Sequence, residues 1–269
     1  MDLEIRLKSN SYKINLKHPI DISIPLQFKG NQPNFFGVPP AASQAYQGTG
    51  FIGDTQKGGS CNVKRYSLIP HCNGTHTECV GHIVNQRISI QNILQDVVFP
   101  ATLVNISPEK AINSPESYVP KKQDEDFMIT QKEIQNAVAD SSKDFLNGLI
   151  IRTLPNDISK MSRNYNQHPA PFFSIEAMDY ISELGIEHLL VDIPSVDRAN
   201  DEGKMTCHHL FWEVEAGGRD IDENKASLKT ITEMVYVPDS IKDRYYFVNI
   251  QIPPFVSDAA PSRPVLFKS

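Results

Sequence analysis

Ser174-Ile175-Glu176-Ala177-Met178-Asp179-Tyr180-Ile181-Ser182-Glu183-Leu184-Gly185-Ile186-Glu187-His188-Leu189-Leu190-Val191-Asp192-Ile193-Pro194 is the stretch whose reading decides the fold. Ser174 followed by Glu176 and Ala177 has the pattern of a helix start, and Gly185 that of a helix stop. The helix runs through Tyr180 and Ile181 to Leu184. Directly after it, His188 to Pro194 is an apolar run of strand length, buried on both faces. A second such run, Leu149-Ile150-Ile151-Arg152-Thr153, precedes the helix. Strand, helix, strand in that order implies a right-handed crossover and at least some parallel sheet, hence an α/β fold.

Upstream, Thr130 and Glu133 form a capping-box pattern that opens a helix to about Ala139. Ala101 to Ile106 is β-rich and breaks at Ser107-Pro108, and residues 107–126 read as a polar, exposed connection. Gln91 to Leu94 reads as a helical turn. Leu3–Leu7 and Tyr12–Leu16 form a hairpin-like pair, and Ile20 to Leu26 is a strand. Residues 29–60 are rich in Gly, Pro, Gln and Asn but carry Phe35, Phe36, Tyr46 and Phe51. A loop this long is uncommon unless functional, so a flap or pocket wall stands beside the plainer surface excursion. Downstream, Thr230–Val237 and Tyr245–Ile252 are strand-like, the latter ended by Pro253-Pro254. Residues 216–227 resemble a polar insertion. No linker separates the β-rich first half from the second, so residues 1–269 are expected to form one domain.

The composition is 40% apolar and 22% charged, ordinary for a globular protein. A net charge of −6 with no basic stripe argues against a nucleic-acid partner. No apolar run approaches the roughly 20 residues of a membrane helix, and the alternating Met1–Arg6 is no signal peptide. A cytoplasmic protein without a membrane partner is expected. Cys61, Cys72, Cys79 and Cys207 form no CxxC pair, so they are expected to be free thiols.

The chemistry concentrates in His71-Cys72-Asn73-Gly74-Thr75-His76-Thr77-Glu78-Cys79-Val80-Gly81-His82. Imidazole, carboxylate and thiolate groups are the ligands of divalent metals. If the run is extended, His76 and Glu78 share a face, and His82 joins them if the strand continues. Gly74 is a natural place for a turn. His208 or His209, in an apolar stretch, and Glu233, in a β-type run, would complete a His and carboxylate set suited to zinc or manganese. The plainer reading makes each a satisfied structural residue. Asp192, Ser195 and Asp197 fit a strand-end turn held by Asx and Ser hydrogen bonds. Arg152 fits either a buried ion pair or a substrate clamp.

These residues resemble the cyclase family of metal-dependent hydrolases, of which bacterial kynurenine formamidases are the best known. The family pattern His-x-Gly-Thr-His-x-Asp-x-Pro-x-His is followed in spacing by Gly74-Thr75-His76-x-Glu78-x-x-x-His82. Ile20-Asp21-Ile22-Ser23 resembles the opening strand, and Leu149–Thr153 the apolar strand ending Arg-Thr. Asp192-Ile193-Pro194-Ser195-Val196-Asp197 resembles the Asp-x-x-Ser-x-Asp signature. His208-His209-Leu210-Phe211-Trp212 and Thr232-Glu233-Met234 resemble the late elements. The resemblance implies a swivelling β/β/α domain with a mixed sheet and one or two Zn2+ or Mn2+ ions per chain. It implies His71, His76, Glu78, His208 and Glu233 as ligands, with Cys72 the alternative to His71 and His209 the alternative to His208. His82 would be the general base, the task of a group that titrates near neutral pH. The implied reaction is hydrolysis of a formamide, lactam or cyclic amide by an arylformamidase-like homodimer or higher homo-oligomer. A non-catalytic binding homologue and a cyclase that removes water are the rivals.

Three departures stand out. The family's first histidine falls on Cys72, one residue after His71. Glu78 replaces aspartate, which moves the carboxylate by roughly 1 Å. The usual proline after that carboxylate is absent.

Overall fold

A computed structural model describes residues 1–268. Among these residues the largest sheet has nine strands: β1 Ile20–Asp21, β2 His76–Glu78, β3 Phe99–Ile106, β4 Gly148–Thr153, β5 His188–Val191, β6 Thr230–Glu233, β7 Tyr245–Gln251, β8 Ala259–Pro261 and β9 Arg263–Lys268. Their order is β8-β2-β6-β5-β4-β3-β7-β9-β1. The four central strands are parallel, pairing β3 with β4, β4 with β5, and β5 with β6. Antiparallel strands flank them on both sides.

The apolar runs divide their side chains by the two-residue period of a strand. The helices are α1 Pro70–Asn73, α2 Ile90–Ile93, α3 Gln131–Val138, α4 Ile175–Glu183 and α5 Thr206–Phe211, and Leu149, Ile151, Leu189 and Val191 join a core with the last three. Ile150 and Leu190 face the other way, into a core with Ile22, Leu103, Val235, Val248 and Leu266. Each fully buried aliphatic side chain is worth roughly 1.5–3 kcal/mol, so both faces hold β4 and β5 in register. The expected helix is present: the Ser174 hydroxyl accepts from the Ala177 N–H, and Gly185 is left-handed at φ 74°.

The second core is enclosed because the sheet curls. Ser23 bridges to Val235 beyond the ends of β1 and β6, and the Tyr236 N–H donates to the Ile22 carbonyl. Thr75 pins this seam: its hydroxyl accepts from the Ile24 N–H at 2.8 Å and donates to the Met234 carbonyl at 2.5 Å.

Several expectations need correction. The strand expected over Ile20–Leu26 pairs as a strand only at Ile20–Asp21, and Ile22 to Ile24 form the seam. The strand expected through Val237 ends at Glu233, because Met234 turns out with φ 53°. Residues 29–60 are not a plain loop. Ala42–Ala45 pairs with Lys64–Ser67, and Gln47–Gly48 pairs with Phe51–Ile52. Residues 107–126 are not simply exposed, since Ala111 and Tyr118 are buried and Glu109–Lys110 pairs with Phe127–Met128. Thr130 caps α3 as expected, but the second acceptor at that helix end is Glu116, which takes the Gln131 N–H at 2.8 Å. Arg152 is an ion-pair partner, bonding Asp243 at 2.7 Å and the Pro238 and Ile241 carbonyls.

Candidate metal centre

The centre lies where the parallel strands end and the antiparallel β2 begins, the place where open α/β sheets form crevices. The register sets His76 opposite Glu233 and Glu78 opposite Ile231. His76 and Glu78 share a face of β2 as expected, and both are fully buried. His82 does not continue that strand. The chain leaves β2 and makes a 3-10 turn at Val80–His82 that carries the ring back over Glu78, with Nε2 3.8 Å from Glu78 Oε2. Gly81 permits this turn, because a Cβ there would lie 2.2 Å from the Ile88 carbonyl oxygen. Gly74 is not needed for its conformation; at φ 167° it is extended.

His71 rather than Cys72 faces the centre. Both lie on the short helix Pro70–Asn73, and its phase turns His71 Nε2 to within 3.4 Å of Glu78 Oε2 and 3.1 Å of Asp258 Oδ2. Cys72 packs instead with Ile24, Phe35, Tyr165 and Met234. Burial, with the charge of Glu233, pushes its thiol up to about 11, so it stays protonated. All four cysteines are free. On α5, His208 reaches the centre, with Nε2 3.0 Å from Glu78 Oε1. His209 is buried outside the groups of ligand atoms that converge there, which are His76–Glu78–Glu233, Glu78–His82–His208 and His71–His82–Asp258.

Two groups that carry this arrangement carried no ligand assignment in the sequence. Asp258, just before β8, approaches His71 and His82. Asp197 accepts from His208 Nδ1 at 2.5 Å, from the Cys207 and His208 N–H groups, and from the Tyr118 hydroxyl. The expected turn is present as well, since the Ser195 hydroxyl accepts from the Asp197 N–H. Asp192 is structural, paired at 2.7 Å with the buried Lys160.

The donor set fits a divalent cation. His76 Nδ1 lies 3.0 Å from the Gly74 carbonyl oxygen and must donate to it. Neutral His76 therefore presents the bare lone pair of Nε2, 3.3 Å from Glu233 Oε2. Asp197 fixes His208 in the same tautomer, the arrangement that orients metal-binding imidazoles. His71 Nε2, His76 Nε2 and Glu78 Oε2 are buried without a hydrogen-bond partner. Lone pairs facing one another in a dry site are costly unless a cation lies between them. The carboxylates register the same conflict. Burial raises Glu233, and the charge of Glu78 raises it further. Burial opposes the charge on Glu78, but His82 and His208 hold its carboxyl well below the usual range. Burial opposes the charge on His208, but Glu78 and Asp197 carry it well above the usual histidine value.

Above the centre lies a pocket of about 220 Å³ lined by Phe35, Phe36, His82, Ser195, Met205 and Glu233 among others. The Phe35 and Phe36 rings lie 3.9 Å apart.

The sequence model of the Cyclase family matches residues 14–198. The chain belongs to the cyclase family. No curated protein matches it in sequence. Among solved structures, one described as a "predicted metal-dependent hydrolase" from Bacillus stearothermophilus is 17% identical, with 94% of this chain and 98% of that chain covered at a TM-score of 0.59. Isatin hydrolase A from Labrenzia aggregata is 13% identical, with 93% of each chain covered at 0.61. Isatin hydrolase A from Ralstonia solanacearum is 13% identical, with 94% and 92% covered at 0.62. The curled mixed sheet is thus the fold of cyclase-family metal-dependent hydrolases. Among the described residues no helix is long and apolar enough to cross a membrane.

Proposed function

We propose that the protein is a metal-dependent hydrolase of an amide-type C–N bond in a small formamide, lactam or cyclic amide, using zinc or manganese. The observation that carries this reading is the set of buried, unpartnered ligand atoms of His71, His76 and Glu78 beneath a pocket of substrate size. His71, His76, Glu78, His208 and Glu233 would hold the metal. When bound, a divalent ion makes water acidic enough to attack near neutral pH and polarises the substrate carbonyl. His82 lines the pocket and is the base that accepts the proton of the attacking water. The carboxylate of Asp258, 3.3 Å from His82 Nδ1, holds the ring so that Nε2 faces inward. Phe35 and Phe36 line the pocket and offer aromatic, apolar contacts to a ring-bearing substrate. The isatin hydrolases share this fold, and isatin is a cyclic amide, which supports the class of bond. The exposed side chains of Phe36, Tyr46, Ile52, Val63 and Tyr66 support self-association of the same chain.

The test is hydrolysis by metal-loaded protein of N-formylanilines, isatin and cyclic imides. Turnover of at least one, lost on chelation and lost in His82→Ala with metal still bound, is the expected result. Metal-replete wild type that hydrolyses none of them removes the proposal.

A further inference from the structure

We infer that Asp258 is itself a metal ligand, forming with His71 and the outer oxygen of Glu78 a second ion position beside the one at His76, Glu78 and Glu233. This rests on the reading of the site as a metal centre, but not on any reaction. At the position where the family pattern has its first histidine, this chain has Cys72, and that thiol is packed in apolar surroundings. The imidazole that takes its place, His71, enters from one residue earlier. Its Nε2 is buried with no hydrogen-bond partner, yet it faces two carboxylate oxygens, Asp258 Oδ2 at 3.1 Å and Glu78 Oε2 at 3.4 Å. Glu78 is fully buried, and that same oxygen is unpartnered. Two carboxylate oxygens reach one imidazole nitrogen, and two of these three atoms lack a hydrogen-bond partner, which suits a cation better than a hydrogen-bond network.

The backbone delivers Asp258 deliberately. Its carbonyl accepts from the Cys79 N–H at 3.0 Å, and the next residues pair with β2 as β8. The Ser257 hydroxyl donates to Oδ1 at 3.0 Å, which leaves Oδ2 turned toward His71 and His82. The His71 and His82 rings stack at 4.4 Å, and ligand atoms of His71, His82 and Asp258 lie within 4.8 Å of one another. Charge argues for the same arrangement. Glu78, Asp197, Glu233 and Asp258 bring four negative charges, and among the described residues their ion-pair partners are histidines alone. Two divalent ions balance four carboxylates with every histidine neutral.

The experiment measures bound Zn2+ per chain by elemental analysis, and its affinity by competition with a chromogenic chelator. It compares wild type, Asp258→Asn, His71→Ala and the double variant. Wild type is expected to hold two ions. Each single variant should lose the same one, or bind it at least tenfold more weakly, and the double variant should lose no more. The visible spectrum of the Co2+-loaded protein should change in Asp258→Asn, and Asp258→Glu should recover part of the loss. An Asp258→Asn protein with both ions at unchanged affinity overturns the inference and leaves Asp258 only as the hydrogen-bond partner of His82. Wild type that binds no more than one ion also overturns it. His71→Ala reads the same position should Asp258→Asn fold poorly. Two ions behaving as described in a protein that hydrolyses nothing would remove the hydrolase reading and keep this one.

Discussion

Replacing Asp197 by Asn tests how the centre is held. One buried carboxylate accepts four hydrogen bonds, with Oδ1 taking the Cys207 N–H and Tyr118 hydroxyl at 2.7 Å each. Oδ2 takes the His208 N–H at 3.2 Å and His208 Nδ1 at 2.5 Å. The amide of Asn keeps one acceptor oxygen and gains donors. If its nitrogen lies on the Oδ1 side, the Tyr118 hydroxyl can turn to accept, but the Cys207 N–H is orphaned. If it lies on the Oδ2 side, the His208 N–H is orphaned, and His208 must switch tautomer to accept at Nδ1. Either way one buried donor loses its partner, which costs about 1–3 kcal/mol. The tautomer switch has a second effect, since Nε2 then carries the proton and its lone pair is lost to a metal. Loss of such an orienting partner typically lowers metal affinity ~10–100-fold. Urea unfolding of the chelated protein reads the first quantity, and metal competition reads the second. An Asp197→Asn protein with wild-type stability and wild-type metal affinity refutes this account of the centre.

Three further outcomes follow from the geometry. Gly81→Ala drives a methyl group into the Ile88 carbonyl oxygen, so urea unfolding should show a loss of about 1–3 kcal/mol, with slower hydrolysis as the His82 turn shifts. Asp21 has its carboxyl held below the usual range; burial opposes this, but bonds from Ser23 and Arg263 outweigh it. Its contribution to stability is therefore present above the unfolded-state pKa of about 3.9 and lost as pH falls through the folded value. The stability gap between wild type and Asp21→Asn should close in acid, and a gap unchanged at pH 3 would contradict the assignment. Phe36 is 60% exposed, so Phe36→Ala should leave stability unchanged. With a ring-bearing substrate it should raise KM by about 2–10-fold, the worth of one aromatic contact, which steady-state kinetics reads.

What could be read from the sequence follows the reach of local patterns. The Ser174 to Pro194 stretch was legible because a cap, a helical face, a glycine stop and a buried strand each leave a signature a few residues long. His76 and Glu78 were placed on one face by the same period-two argument. His71 against Cys72 was undecidable, because a one-residue offset turns on the phase of the Pro70–Asn73 helix. Asp197 gave the signal of a strand-end turn, which the Ser195 hydroxyl makes by accepting from the Asp197 N–H, but the role of the Asp197 carboxylate depends on α5 lying alongside. Asp258 is a lone acid after a proline pair, and its meaning comes only from β8 pairing with β2. The short strands between residues 42 and 67 carry too little periodicity to distinguish them from loop.

The ligand atoms and the pocket wall are built on different kinds of backbone. His76 and Glu233 sit on paired, buried strands and His208 on a helix, whereas Phe35, Phe36, Ser195 and Met205 lie outside the sheet, on or beside connecting segments. Substitutions in those segments change what fits without loosening what reacts. Natural divergence in selectivity is therefore expected to accumulate around residues 35–36 and 195–205. A laboratory search for new specificity should randomise these positions while leaving the strands untouched.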